Sequence, residues 1–252
     1  MTKTLFLIHG MWGGGFMWDN HRAFYENRGY RCVVPTLRYH DVDPASPPHP
    51  DFGTVSLRDY ADDLEQEIRA LEEPPVVIGH SMGGLLAQML AARGLAPKVV
   101  CLTPAAPRGV VVLSPSVLWS FKSILTTWAF WRKPCRQTFK EAAYATMHLL
   151  PPEERRQLYD RLVDESGRAI FECGLWLFDS RRVAEVDPAK VTCPMLVVGC
   201  KLDRITPASV VRKVARRYKA DYEEFPDHAH WVLGEPGWER VAGVVLDWIE
   251  AH

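Results

Sequence analysis

Gly79-His80-Ser81-Met82-Gly83 lies between the apolar run Val76-Val-Ile and an Ala- and Leu-rich stretch that begins at Met82. A serine in a Gly-x-Ser-x-Gly frame, at the end of a strand and the start of a helix, is the arrangement of an exposed nucleophile on a sharp turn. The glycines have a steric reason, because only residues without Cβ let the neighbouring backbone come so close. A serine that merely caps a helix beside packing glycines would carry the same letters. The chemistry therefore needs further partners.

A serine hydroxyl is a poor nucleophile until a base takes its proton. The base is sought past the last predicted strand, in Phe225-Pro-Asp-His-Ala-His-Trp-Val-Leu-Gly-Glu-Pro236. His228 and His230 compete there. His230 is preferred because an apolar run and then Glu235-Pro236, the start of the last helix, follow it. His228 sits nearer the strand end, as a loop residue would. The other histidines lack this placement: His9 and His80 sit inside motifs and should bond backbone, while His21, His40, His49 and His148 read as surface or insertion residues. The group that orients the base is read as Asp203, just past the buried run Met195–Val198 and before Pro207. Asp187 would lie at the wrong end of the sheet, and Asp227 is too close to His230 in sequence to reach its ring.

Developing negative charge on a substrate carbonyl must be met by fixed donors, each typically worth about 3 kcal/mol. Two backbone N–H groups are placed for this. Met82 N–H lies at the N-terminus of the helix after Ser81, where unpaired donors and the helix dipole favour an anion. Met11 N–H lies in Leu7-Ile-His-Gly-Met-Trp-Gly-Gly-Gly15, after the first strand. The side chains of Met11, Trp12 and Met82 are expected to border the substrate as apolar walls. The Gly10–Gly15 stretch lacks Gly-x-Gly-x-x-Gly spacing and an acid after the next strand, so a dinucleotide loop is disfavoured.

Buried parallel strands are expected at Thr4–Ile8, Cys32–Pro35, Pro75–Ile78, Val99–Leu102, Met195–Val198 and Tyr222–Phe225. Helical patterns fall between them at Leu57–Leu71, Met82–Arg93, Val210–Tyr218 and Trp238–Ile249. This alternation predicts an α/β chain with a mostly parallel twisted sheet and helices on both faces. Residues 104–187 interrupt it. The stretch is rich in aromatics, including Trp119, Phe121, Trp128, Phe130, Trp131 and Trp176. It reads as a helical cap inserted into a core of 1–103 and 188–252, over the sheet edge where open α/β folds bind ligands. Helices are expected in it at Ser116–Trp131 and Glu153–Asp164, and most of its aromatics should pack its own core.

The chain has 252 residues, 47% hydrophobic and 24% charged, with a formal net charge of -1. These values suit an ordinary globular protein. No charge run favours nucleic acid or an anionic membrane. The N-terminal apolar run is too short for a signal peptide, and no stretch could span a bilayer as an integral segment. The six cysteines are scattered without a Cys-x-x-Cys pair, which argues against zinc and suits reduced thiols in the cytoplasm.

At His9-Gly10, Gly79–Gly83, Asp203 with Pro207, and His230 before Glu235-Pro236, the chain resembles the α/β-hydrolase superfamily over essentially its whole length. The order Ser81, Asp203, His230 is that fold's order. His-Gly-Met-Trp-Gly-Gly-Gly-Phe-Met-Trp18 is similar to the corresponding segment of small esterases, including plant methylesterases and hydroxynitrile lyases. The resemblance implies acyl transfer through Ser81 without metal or organic cofactor; the aromatic, Leu- and Val-rich stretch 104–187 predicts an apolar pocket, and so a small-molecule carboxylic ester with an apolar acyl or alcohol part. Dehalogenases and epoxide hydrolases of this fold carry Asp where Ser81 stands and are disfavoured. Other readings of the same residues are a lipase, a thioesterase, a carbon–carbon bond hydrolase, a ligand-sensing scaffold, or a lyase. The lyase would need a cationic or polar residue of the insertion facing Ser81, for which Lys122, Arg132 and Lys133 are available. For a hydrolase, neutral His230 is required, so activity should fall on acidification through roughly pH 6–7.

Overall fold

A computed structural model describes residues 3–112 and 114–252. Met1 and Thr2, where a leader is sought in the sequence, and Leu113 of the insertion lie outside the described residues. In chain order the first half runs β1 (Thr4–Ile8), α1 (Asp19–Glu26), β2 (Arg31–Val33), α2 (Leu57–Arg69), β3 (Val76–His80), α3 (Met82–Ala92) and β4 (Val99–Leu102). The insertion follows with α4 (Pro115–Ser120), α5 (Lys122–Leu125), β5 (Pro134–Cys135), α6 (Phe139–Ala145), α7 (Pro152–Arg161), β6 (Glu165–Ser166) and α8 (Gly167–Gly174). The chain then returns through β7 (Met195–Cys200), α9 (Ala208–Tyr218), β8 (Asp221–Phe225) and α10 (Trp238–Ala251).

The main sheet is parallel throughout, in the order β2-β1-β3-β4-β7-β8. β3, β4 and β7 are buried on both faces, which is why they read as unbroken apolar runs. Along β1, Phe6 and Ile8 pack into one apolar cluster with α2 and α3, while Leu5 and Leu7 pack into another with α1 and α10. The alternation of side chains across a strand thus fills both layers. α2 shows its amphipathic design directly. Leu57, Tyr60, Ala61, Leu64 and Ile68 are buried, and Ser56 with Asp59 closes a capping box at its start. α3 is buried from Met82 to Ala91, beneath the turn that carries Ser81.

The order in which strands are added to the sheet reverses between β1 and β3, all strands remaining parallel. β1 connects to β2 on one side, while β3 continues to β4 on the other. Loops leaving such neighbouring strands diverge and open a crevice at their C-terminal ends. Ile8 pairs with Gly79, so the loops carrying Met11 and Ser81 leave the sheet side by side.

The single helix expected at Ser116–Trp131 is broken. Phe121, with φ -111° and ψ 12°, separates α4 from α5. Thr126 and Thr127 turn their hydroxyls back onto the carbonyls of Lys122 and Ser123, a bond that competes with helix propagation. Ala129 then takes a left-handed conformation at φ 54° before a short turn at Phe130–Arg132. The second expected helix is present as α7, three residues shorter at its C-terminal end than Glu153–Asp164. Burial also corrects two histidines. His21 and His40 are not surface residues but are enclosed, His21 against Tyr25 and Trp238, His40 against Phe52 and Tyr60. Among the described residues no helix is long and apolar enough to cross a membrane.

Candidate active site

Ser81 has φ 55° and ψ -118°, strained values for a residue with a Cβ. Its neighbours hold it there. Ser81 N–H donates to Leu102 O at 3.0 Å, and Ser81 O accepts from Gly84 N at 2.9 Å and Ala105 N at 2.8 Å. A Cβ on Gly79 would stand 2.1 Å from Gly83 O, and one on Gly83 would stand 2.3 Å from Ile8 O. Both positions therefore require glycine.

Three sequence-predicted residues converge at the turn, each from a different loop. His230 Nε2 lies 2.9 Å from Ser81 Oγ, and His230 Nδ1 lies 2.8 Å from Asp203 Oδ2. The carboxylate accepts on both oxygens: Oδ1 from the N–H groups of Ile205 and Thr206 at 2.7 and 2.8 Å, and Oδ2 from Thr206 Oγ1 at 2.8 Å as well as from the imidazole. With Asp203 Oδ2 accepting from Nδ1–H, Nε2 is left to accept from Ser81.

The rejected candidates lie elsewhere. His228 stacks on Phe225 and sits 3.6 Å from Glu235 Oε1. Asp227 pairs with Arg240, and Asp187 caps the turn at Pro188–Lys190.

Three residues support this arrangement: His80 bonds backbone as the sequence predicts, while Thr206 and Glu235 escape a reading of motifs. Thr206 bonds Asp203 through both its N–H and its hydroxyl, and the Asp-x-x-Thr spacing of a local capping turn is the signal that could have found it. His80 bonds His230 O at 2.8 Å. Its burial and the nearby His230 ring keep its imidazole far below the usual histidine range, so it is neutral. Glu235 accepts the N–H of Ala229 at 2.7 Å, beside His230 in the chain. Burial pushes its carboxyl up to about 7.

The loop after β1 passes directly against the turn, since a Cβ on Gly10 would meet Ser81 Cβ at 3.0 Å. His9 fixes its start, taking the N–H of Leu37 on Nε2 at 3.0 Å and donating from Nδ1 to Gly10 O at 2.8 Å. Trp12 has φ 64° and is clasped by the insertion at two points. Its Nε1 donates to Cys135 O at 3.0 Å, and its carbonyl accepts from Val163 N at 2.8 Å. Met82 is the first residue of α3, whose leading N–H groups have no partner within the helix.

Ser81 and His230 open into a cavity of about 190 Å³. Its walls are mostly apolar and come largely from the insertion, among them Val117, Leu118, Phe121, Phe130 and Met147. Met11 and Trp12 line it, as expected. Met82 does not: its side chain is fully buried in the core with Leu85 and Leu86. The turn that lifts Ser81 out of the sheet sends the next side chain inward. Lys122, Arg132 and Lys133, the cations available for a lyase, are exposed and do not line the cavity, whereas the polar Gln137 and Thr146 do. The insertion's aromatics divide more evenly than expected, with Phe121 and Phe130 facing the cavity and Trp119, Trp128 and Phe178 exposed.

Known proteins place this geometry in context. Over 263 aligned residues the chain is 25% identical to the magnesium-chelatase 30 kDa subunit of Rhodobacter capsulatus, covering 98% of this chain and 87% of that protein. The methylesterase protein MES16 from Arabidopsis superposes with a TM-score of 0.74 at 11% identity, covering 99% of both chains. A pyrethroid hydrolase from Sphingobium faniae JZ-2 gives 0.72 at 17% identity, over 98% and 97% of the two chains. These structural likenesses speak for the shared fold. The family described as "Alpha/beta hydrolase family" matches residues 5–244, and with the fold it establishes the kinship: the chain belongs to the alpha/beta hydrolase family.

Proposed function

We propose that the protein is a serine hydrolase that cleaves carboxylic esters with an apolar acyl or alcohol part. The observation that carries this reading is the unbroken chain Asp203–His230–Ser81, with contacts of 2.8 and 2.9 Å, opening into an apolar cavity. In this reading residues 104–187 form a cap over a core of 1–103 and 188–252. The cap supplies most of the apolar wall, and among the described residues no Lys, Arg, Asp or Glu lines the cavity. An uncharged substrate suits such a site. The methylesterase and pyrethroid hydrolase that share the fold are in keeping with ester chemistry.

Ser81 Oγ attacks the ester carbonyl while His230 Nε2 takes its proton. Asp203 stabilises the imidazolium across the 2.8 Å contact. Met11 and Met82 N–H groups receive the oxyanion. His230 then gives the proton to the departing alkoxide, and a water, activated by the same imidazole, releases the acid from Ser81. The chain's own groups supply every proton transfer in this scheme.

The test is hydrolysis of p-nitrophenyl esters from acetate to palmitate by wild type and Ser81→Ala. Turnover that vanishes in the variant, with unchanged folding, is the expected result. Turnover that survives it assigns the nucleophile elsewhere. A wild type inert on every ester removes the esterase reading.

A further inference from the structure

Averaged over the whole chain, charge points to no anionic partner. Locally it does. No Asp or Glu occurs between Glu73 and Glu141, and residues 104–140 carry Arg108, Lys122, Arg132, Lys133, Arg136 and Lys140. Lys122, Arg132, Lys133 and Lys140 are exposed. Glu141, the first acid to follow, is turned inward and spent on Ser123 and Thr138.

The same segment presents large apolar side chains to solvent. Leu118 and Trp119 on α4, Leu125 on α5 and Trp128 just beyond are exposed, Trp128 by 84%. They lie among the cations: Lys122 Nζ sits 5.1 Å over the Trp119 ring, and Trp128 packs edge-on against Trp131, next to Arg132 and Lys133. Leu118 and Leu125 are at once exposed and part of the cavity wall. The apolar face is therefore continuous with the mouth of the cavity.

We propose that this face, from α4 to Lys133, docks the protein on an anionic phospholipid surface, with the cavity mouth turned toward the bilayer. Exposed tryptophans flanked by Lys and Arg suit the boundary between headgroups and acyl chains, where the ring enters and the cation meets lipid phosphate. Charge complementarity selects this occupant over a second copy of the chain, whose own face would be equally basic. Entry of an apolar substrate from the bilayer rests on the hydrolytic reading. Lipid binding does not, so the two fail separately.

The experiment is flotation of the full chain with vesicles of phosphatidylcholine alone and of an equal mixture of phosphatidylcholine and phosphatidylglycerol. Wild type is expected to float with the mixed vesicles and not with the neutral ones, and to be released by salt. Lys122→Glu/Arg132→Glu/Lys133→Glu should weaken partitioning by at least about 100-fold, and Trp119→Ser/Trp128→Ser by at least about tenfold. Both variants should keep the wild-type thermal midpoint. Absence of wild-type binding to the mixed vesicles overturns the proposal. So does binding that the triple variant retains, or a dimer in light scattering that Trp119→Ser/Trp128→Ser abolishes.

Discussion

His80 donates its Nε2 proton to the carbonyl oxygen of His230 across 2.8 Å, so the residue before the proposed nucleophile holds the backbone of the proposed base. A carbonyl only accepts, which fixes the His80 tautomer. The two rings lie 5.0 Å apart and are buried together. His80→Ala is expected to lower kcat about 10- to 100-fold with little change in KM, because misplacing a base by a fraction of an ångström costs rate rather than binding. Steady-state kinetics on the best p-nitrophenyl ester separates the two constants. A rise in KM at constant kcat would instead make His80 part of the cavity wall only.

Asp203 and Thr206 should differ in weight. Asp203→Asn keeps the shape but presents an amide where the imidazole N–H needs an anion, and kcat is expected to fall by about 10³–10⁴. Thr206→Val removes one of four donors to the carboxylate. A loss of about tenfold is expected there, in line with one charge-assisted hydrogen bond. Equal losses in the two variants would mean that Thr206 does more than orient Asp203.

Stability should change with pH in two opposed directions. Burial holds His9 down at about 3 and His21 down at about 4, from an ordinary 6.5, and holds His80 well below that value too. The unfolded chain takes up these protons first. The stability they confer is present above 6.5 and is lost as pH falls toward the folded values, each histidine contributing up to about 1.4 kcal/mol per pH unit. Glu235 runs the other way. Its ordinary 4.5 is pushed up to about 7 by burial, so its ionisation costs stability progressively as pH rises from 4.5 through 7. Urea denaturation across this range should show a steep acid limb. Glu235→Gln should add up to about 3 kcal/mol above pH 7 and leave the acid limb in place. A variant with unchanged stability at pH 8 would refute the buried carboxylate's cost.

Glu165 fastens residues 104–187, the proposed cap, to the rest of the chain. Its carboxylate accepts from Tyr60 at 2.7 Å and from the N–H of Ser166 at 2.7 Å, and lies 3.1 Å from His40 Nε2. All of these side chains are enclosed. Glu165→Ala strands them, and a loss of about 3–5 kcal/mol is expected. Replacing Glu165 and Tyr60 together by Gln and Phe should recover part of it, because fewer buried polar groups are left unpaired.

What could be read from the sequence follows how local its cause is. The central strands are legible because burial on both faces demands unbroken apolar runs. Ser81, Asp203 and His230 are legible because each follows a strand by a few residues and carries its own flanking signal. Bounds moved by one or two residues, as at β3 and β7, because strand ends extend wherever a neighbour offers hydrogen bonds. The role of Glu165 is not legible because its side-chain partners, Tyr60 and His40, stand more than 100 residues away. The Met82 side chain is a different case: a motif singles out a backbone N–H but does not say which way its side chain turns. The fragmentation of α4 and α5 was legible in part, since Thr126-Thr127 is a poor continuation for a helix.

The double clasp on Trp12 ties access to chemistry. The insertion grips this residue at Cys135 O and Val163 N, and Trp12 is the immediate neighbour of Met11, one proposed donor to the oxyanion. An insertion that swings aside must let go of Trp12 and loosen that donor in the same movement. In the proposed mechanism the wall of the cavity and the donor to the oxyanion are therefore secured by the same two bonds.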